Sequence, residues 1–310
     1  MTTTVLYIGG TGRSGSTVLA NLLGEADGYV SVGEIRFMWE RGLGENRLCG
    51  CGEHFSDCAF WQSVLRSAYP DGVPDPATVI PLLQEQTRMR QLPALMAHHD
   101  DDALAKILTP LYEAIAEVAG ASVVIDSSKL PTYASVIDRM PSLDVLMVHL
   151  VRDPRAAAFS WKRVKELPDK GSRRVMERRG VLKSTGLWSV WNSALEWMWR
   201  DRPDKYVRVA YEDLVSSPEA QLRLIMSGLQ LEGAPWQALT GPGTARLSVH
   251  HTVAGNPSRM AQGSVTLRLD DEWQQAMPSM DRATVQTLAG PVMHRYGYRR
   301  SKQSTSAAAS

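Results

Sequence analysis

Gly10-Thr11-Gly12-Arg13-Ser14-Gly15-Ser16-Thr17, set between Val5-Leu6-Tyr7-Ile8 and Val18-Leu19-Ala20-Asn21-Leu22-Leu23, decides the fold. The first flank is a short β-branched and aromatic run, the second has the apolar spacing of a helix, and the glycines between them punctuate a turn. The order is strand, loop, helix. Its spacing fits G-x-x-x-x-G-x-[ST], in which glycines let backbone N–H groups converge on an anion at the positive end of the helix. A nucleoside triphosphatase would carry lysine where Ser16 stands. The cation lies instead at Arg13, three residues earlier, whose planar fork of donors suits phosphate or sulfate. Taken alone, the stretch is either an anion loop without a γ-phosphate site or a glycine-rich turn of an unrelated Rossmann-like fold.

Working outward, Val123-Val124-Ile125, the run from Leu143 to Val151 and the run from Tyr206 to Tyr211 read as further buried strands, each ending in a polar cluster. Residues 76–118, Ala156 to Val164 and Gly186 to Trp199 read as helical. Strands alternating with helices imply an α/β fold with a central parallel sheet flanked by helices, in which ligands gather at the carboxyl ends of the strands. One domain is expected over residues 1–300, with helical insertions at about 35–118 and 162–200. The tail 301–310 is expected to be disordered. The stretch from Lys162 to Lys183, rich in Lys and Arg, reads either as a solvated loop or as a substrate lid.

With 44% hydrophobic residues among 310, the chain can bury a full core, which excludes a disordered protein. Its 34 Lys and Arg against 33 Asp and Glu leave no global field to hold nucleic acid or an anionic membrane, so any anion is bound locally. No segment approaches the roughly 18–20 apolar residues that cross a bilayer. The start of the chain lacks the pattern of a secretory signal. A soluble, cytoplasmic protein with reduced thiols is expected.

Strand followed by T-G-R-S-G-S-T resembles the 5′-phosphosulfate-binding loop of the sulfotransferase superfamily, in the style of its carbohydrate and tyrosylprotein branches. A second segment has the same likeness. Arg152, after the strand ending His149-Leu150-Val151, stands eight residues before Ser160, as do the arginine and serine that hold the donor's 3′-phosphate in those enzymes. The resemblance implies a P-loop nucleoside-triphosphate-hydrolase-like fold. It also implies 3′-phosphoadenosine-5′-phosphosulfate as co-substrate, a hydroxyl-bearing small-molecule, carbohydrate or lipid acceptor, and no requirement for a metal. Gly12, Arg13, Ser14, Gly15, Ser16 and Thr17 would hold the 5′ end, Arg13 acting in catalysis as well. Arg152 and Ser160 would hold the 3′-phosphate.

By the same resemblance, Lys129 and Ser127 of Asp126-Ser127-Ser128-Lys129 would stabilise charge on the bridging oxygen, and Glu34 would be the base that takes the acceptor proton. Tyr211 would approach the adenine. Gly255 and Arg259 would belong to the C-terminal nucleotide loop, although His250 to Arg259 departs from the R-K-G-x-x-G pattern of the cytosolic branch. Each residue also has a plainer reading: a surface ion pair for Arg152 with Asp153, a capped helix start for Asp126 to Lys129, a salt bridge of Glu34 with Arg36 or Arg41, and a core position for Tyr211. His149, alternating within a strand, reads as structural. The rival functions are a P-loop small-molecule kinase using ATP and magnesium, and a non-catalytic nucleotide-binding relative.

Cys49, Cys51, His54 and Cys58 offer four metal donors within ten residues, but C-x-C-x2-H-x3-C is an unusual zinc spacing, and packed free thiols explain it as well. Trp39, Trp61, Trp161, Trp188 and Trp191 are either acceptor platform or core.

Overall fold

The computed structural model describes residues 2–92, 102–164 and 177–298. The expected tail at 301–310 and the middle of the basic stretch lie outside the described residues. Five parallel strands, β1 (Thr3–Gly10), β2 (Tyr29–Gly33), β3 (Val123–Lys129), β4 (Leu143–Val151) and β5 (Tyr206–Ala210), form one sheet in the order β2-β3-β1-β4-β5. Val5 and Tyr7 enter one hydrophobic core while Leu6 and Ile8 enter another, and β4 divides Val145 and Met147 from Leu146, Val148 and Leu150 in the same way. The period-2 alternation of a strand therefore feeds two apolar faces, which is why these runs carry no polar side.

Helix α1 (Ser16–Leu23) covers the second face with Leu19, Leu22 and Leu23. The first face is covered by α4 (Asp102–Ala119) and α5 (Pro131–Asp138), through Tyr112, Ile115, Tyr133 and Ile137, and by the far end of α7 (Val181–Trp199). Between β2 and α4 lie a π-helical turn (Met38–Gly44), α2 (Ala59–Ala68) and α3 (Pro76–Gln86). After β4 comes α6 (Pro154–Lys162). Asp153 caps it by accepting from the Arg155 amide at 2.8 Å, and Pro154 supplies the preset φ of a first helical residue. Asp153 also pairs with the Arg155 guanidinium, so it is not the partner of Arg152.

Helices α8 (Tyr211–Ser216) and α9 (Pro218–Gly228) follow β5. Then come β6 (Leu239–Gly241), β7 (Thr244–Leu247) and β8 (Gly263–Thr266), a separate antiparallel sheet. Helices α10 (Trp273–Ala276) and α11 (Ser279–Arg295) complete the order. The small sheet and β2 are additions to the sequence reading. No helix among the described residues is long and apolar enough to cross a membrane.

The chain leaves β1 toward β2 and β3, then crosses to the other side of β1 with β4. Such a switch opens a crevice at the carboxyl ends of the strands. Glu34 follows β2, Lys129 ends β3, Arg13 follows β1, Arg152 follows β4 and Tyr211 follows β5. Every strand of the sheet delivers one of them to the same edge.

Candidate functional site

The loop after β1 is shaped by what surrounds its glycines. Gly15 has φ 91°, and a Cβ there would stand 2.3 Å from the Tyr211 ring; a Cβ on Gly12 would stand 2.4 Å from the Trp161 ring. Only bare backbone fits, and it forms the floor of a cradle. The first amides of α1, at Ser16 and Thr17, precede any carbonyl the helix offers them, and both residues line a cavity of about 600 Å³. That volume lies within the range of small-molecule sites. Ser14 is buried and does not line the cavity.

Seven cationic side chains line the cavity, Arg13, Arg36, Arg41, Arg47, Lys129, Arg152 and Arg179, against three acids, Glu34, Glu177 and Asp270. On a chain of net charge +1 this is a local excess, the field an anion seeks. Burial, then the neighbouring Arg179, pull the Arg13 guanidinium below its ordinary pKa. A bound anion would relieve that crowding. Arg13 and Lys129 are also two of the four non-glycine residues with positive φ among those described, at 71° and 68°. Backbone held in this region marks positions fixed by their surroundings, often at functional sites.

Lys129 Nζ lies 2.8 Å from Glu34 Oε1 and donates to the Ser127 carbonyl at 2.8 Å. Lys129 is therefore the partner of Glu34, in place of the Arg36 or Arg41 pair weighed from sequence. Burial on its own would raise the Glu34 pKa, but Lys129, Arg41 and Arg36 outweigh it and hold the carboxylate below its usual value. Ser127 contributes its carbonyl, while Ser128 lines the cavity. Behind them Asp126 is fully buried. It accepts from the Ser128 amide and hydroxyl at 2.8 and 2.6 Å and from Tyr112, and burial pushes its pKa up to about 6 against those bonds. Ser128 Oγ in turn accepts from the Arg36 amide at 3.2 Å, fixing the chain just after Glu34.

At the other end, Arg152 donates to the carbonyls of Arg13 (3.0 Å) and Asp270 (2.9 Å), pairs with the Asp270 carboxylate at 3.1 Å and lies over the Tyr211 ring. Ser160, two turns along α6, lines the cavity with it. Trp161 lies beneath both Arg13 and Arg179. Of the five tryptophans named above, Trp161 and Trp191 line the cavity, while Trp39, Trp61 and Trp188 are core.

The segment 250–259 runs beside β2, with the Val253 amide donating to the Val32 carbonyl at 3.0 Å. It brings Gly255, at φ 145°, against Thr17 and Glu34. Arg259 is placed differently. It is 3% exposed, does not line the cavity, and donates to the carbonyls of Thr252 and Leu48 at 2.8 and 2.6 Å, so it braces the segment rather than reaching into the crevice. Asn256 and Ser258 line the cavity beside Gly255. His149 is buried between Tyr206 and Asn192 at 2.7 and 2.9 Å, and burial lowers its pKa to about 4; it is a neutral structural group.

Sequence reasoning did not single out Arg47, Arg179, Asn256, Ser258 or Asp270 for the cavity. They come from loops whose path no local pattern specifies. The cysteine cluster also differs in its fourth member: His54 turns to the Asn46 carbonyl at the surface, and His251 takes its place among Cys49, Cys51 and Cys58.

Comparison with known proteins agrees with this fold. The sulfotransferase domain of the Synechococcus PCC 7002 olefin synthase has a similar fold, with TM-score 0.54 and 20% identity over 94% of each chain. The sulfotransferase domain from the curacin biosynthetic pathway is similar at TM-score 0.53 and 18% identity, over 94% of this chain and 98% of that one. No curated protein matches the sequence. The model of the sulfotransferase family matches residues 6–237, most of the chain and all five strand ends around the cavity, and on that match the chain belongs to the sulfotransferase family.

Proposed function

We propose that the cavity binds 3′-phosphoadenosine-5′-phosphosulfate and transfers its sulfuryl group to a hydroxyl of a small-molecule, carbohydrate or lipid acceptor. One observation carries this reading: two anion cradles, the Gly12 to Thr17 loop and the Arg152–Ser160 pair, share one cationic cavity with a buried Glu34–Lys129 ion pair. The glycine cradle, which a side chain would fill, fits a phosphosulfate held by backbone amides with Arg13 and Thr17. Arg152 and Ser160 suit the 3′-phosphate, and Tyr211, between the two, suits the nucleoside.

Sulfuryl transfer, like phosphoryl transfer, needs in-line approach and compensation of charge on the peripheral and leaving oxygens. Glu34 accepts the acceptor's proton as its oxygen attacks sulfur. Lys129 compensates the charge left on the oxygen of the departing nucleotide. Their ion pair explains how both roles fit one site. In the free protein Lys129 keeps Glu34 ionised and weakly basic. When an anionic donor draws the ammonium toward itself, Glu34 loses its strongest stabilising neighbour and its basicity rises. Gly255, close to Glu34, leaves room there for the acceptor.

The test is transfer of labelled sulfur from the phosphosulfate donor to a panel of sugars, phenols, lipids and secondary metabolites. A sulfated product formed without ATP is expected. A phosphorylated product that requires ATP and magnesium would make the protein a kinase instead.

A further inference from the structure

We propose that Cys49, Cys51, Cys58 and Nδ1 of His251 hold one structural zinc ion, which ties the segment after the π-helical turn to the loop that carries Gly255. The site lies outside the cavity and does not depend on the sulfotransferase mechanism. Its four donor atoms all lie within 4.8 Å of one another. A tetrahedral zinc with bonds of about 2.3 Å to sulfur and 2.0–2.1 Å to nitrogen sets S···S near 3.8 Å and S···N near 3.6 Å. Cys51 and Cys58 sulfurs are 3.7 Å apart, and His251 Nδ1 lies 3.8 Å from Cys49 and 3.3 Å from Cys58. Three thiolates and one imidazole form a known structural zinc set, soft enough to select zinc over the hard cations.

The surrounding chain is built as a knuckle. Cys49 donates its amide to the Glu53 carbonyl at 2.7 Å, and the Gly52 amide returns to the Cys49 carbonyl at 2.9 Å, with Gly52 at φ 95°. This tight turn lets Cys49 and Cys51 converge although a single residue separates them. That residue, Gly50, packs where a Cβ would stand 2.3 Å from the His250 carbonyl oxygen. Cys58 sits at the N-terminal cap of α2, which fixes its backbone beside the turn. His251 is oriented from outside the cluster: its ring stacks on Phe60 at 4.7 Å, and its carbonyl accepts from Trp61 Nε1 at 3.0 Å. The fourth ligand thus comes from about 190 residues away, which is why the sequence spacing resembles no compact zinc module.

Zinc binding by these three thiols has one chemical rival, a Cys51–Cys58 disulfide. The experiment is elemental analysis of the full chain, purified without chelator after expression in zinc-supplemented medium, followed by chelator stripping and titration with Co²⁺. One zinc per chain is expected, together with a cobalt spectrum showing strong sulfur-to-metal charge transfer and tetrahedral d–d bands. His251→Ala is expected to lose the metal and His54→Ala to keep it. Should His251→Ala fail to fold, the cobalt spectrum of the unsubstituted chain still decides. Protein purified without zinc and spectrally silent to Co²⁺, an intact mass showing the Cys51–Cys58 disulfide, or loss of metal in His54→Ala with retention in His251→Ala would each overturn the proposal.

Discussion

Replacing Glu34 with glutamine is expected to slow sulfuryl transfer by about 10²- to 10⁴-fold, the usual worth of a positioned general base. The substitution keeps size and a hydrogen-bonding oxygen, so Lys129 retains a partner besides the Ser127 carbonyl, 2.8 Å away. Binding of adenosine 3′,5′-bisphosphate is expected to change little, because neither cradle is touched. The comparison of kcat with the product's Kd checks this directly. An unchanged kcat would remove Glu34 as base, while a loss of nucleotide binding as large as the loss of rate would make the Glu34–Lys129 pair a structural brace of the loop.

Arg152→Ala is expected to abolish discrimination between adenosine 3′,5′-bisphosphate and adenosine 5′-monophosphate. Arg152 is 5% exposed, and truncating a buried, hydrogen-bonded charge costs about 2–5 kcal/mol at an interface, or roughly 30-fold to several thousand-fold in affinity. That cost should fall on the bisphosphate and spare the monophosphate, which lacks the group Arg152 is assigned to hold. Arg152→Lys is expected to recover only part of it, since an ammonium supplies charge without the planar fork. Calorimetric titration of the two nucleotides against each variant measures the difference. Equal loss for both ligands would instead place Arg152 as a scaffold for the loop through its bond to the Arg13 carbonyl, 3.0 Å long.

The sheet was legible wherever burial on both faces wrote a continuous apolar run, as in Val5 to Ile8 and Leu143 to Val151. Strand β2 was not, because Tyr29-Val30-Ser31-Val32-Gly33 is an edge strand with a serine at its centre, and its role is visible only once β3 lies beside it. The loop after β1, Arg152 and Lys129 could be placed together at the sheet's carboxyl edge because each lies at a strand end with a recognisable break. Arg259, expected in the C-terminal nucleotide loop, does not line the cavity, and sequence could not foresee this because its partners, the carbonyls of Thr252 and Leu48, include one 211 residues away. The same distance hid His251 behind the nearer His54. Local pattern places what the backbone must do, and long-range pairing decides which of two similar side chains does it.

Thermal unfolding tests the identity of the donor nucleotide without knowledge of the acceptor. A ligand that binds only the folded chain raises its melting temperature in proportion to the logarithm of its excess over Kd. Adenosine 3′,5′-bisphosphate is expected to raise the melting temperature, with or without magnesium, while ATP with magnesium leaves it unchanged. Stabilisation by ATP and magnesium with no response to the bisphosphate would exclude the phosphosulfate donor.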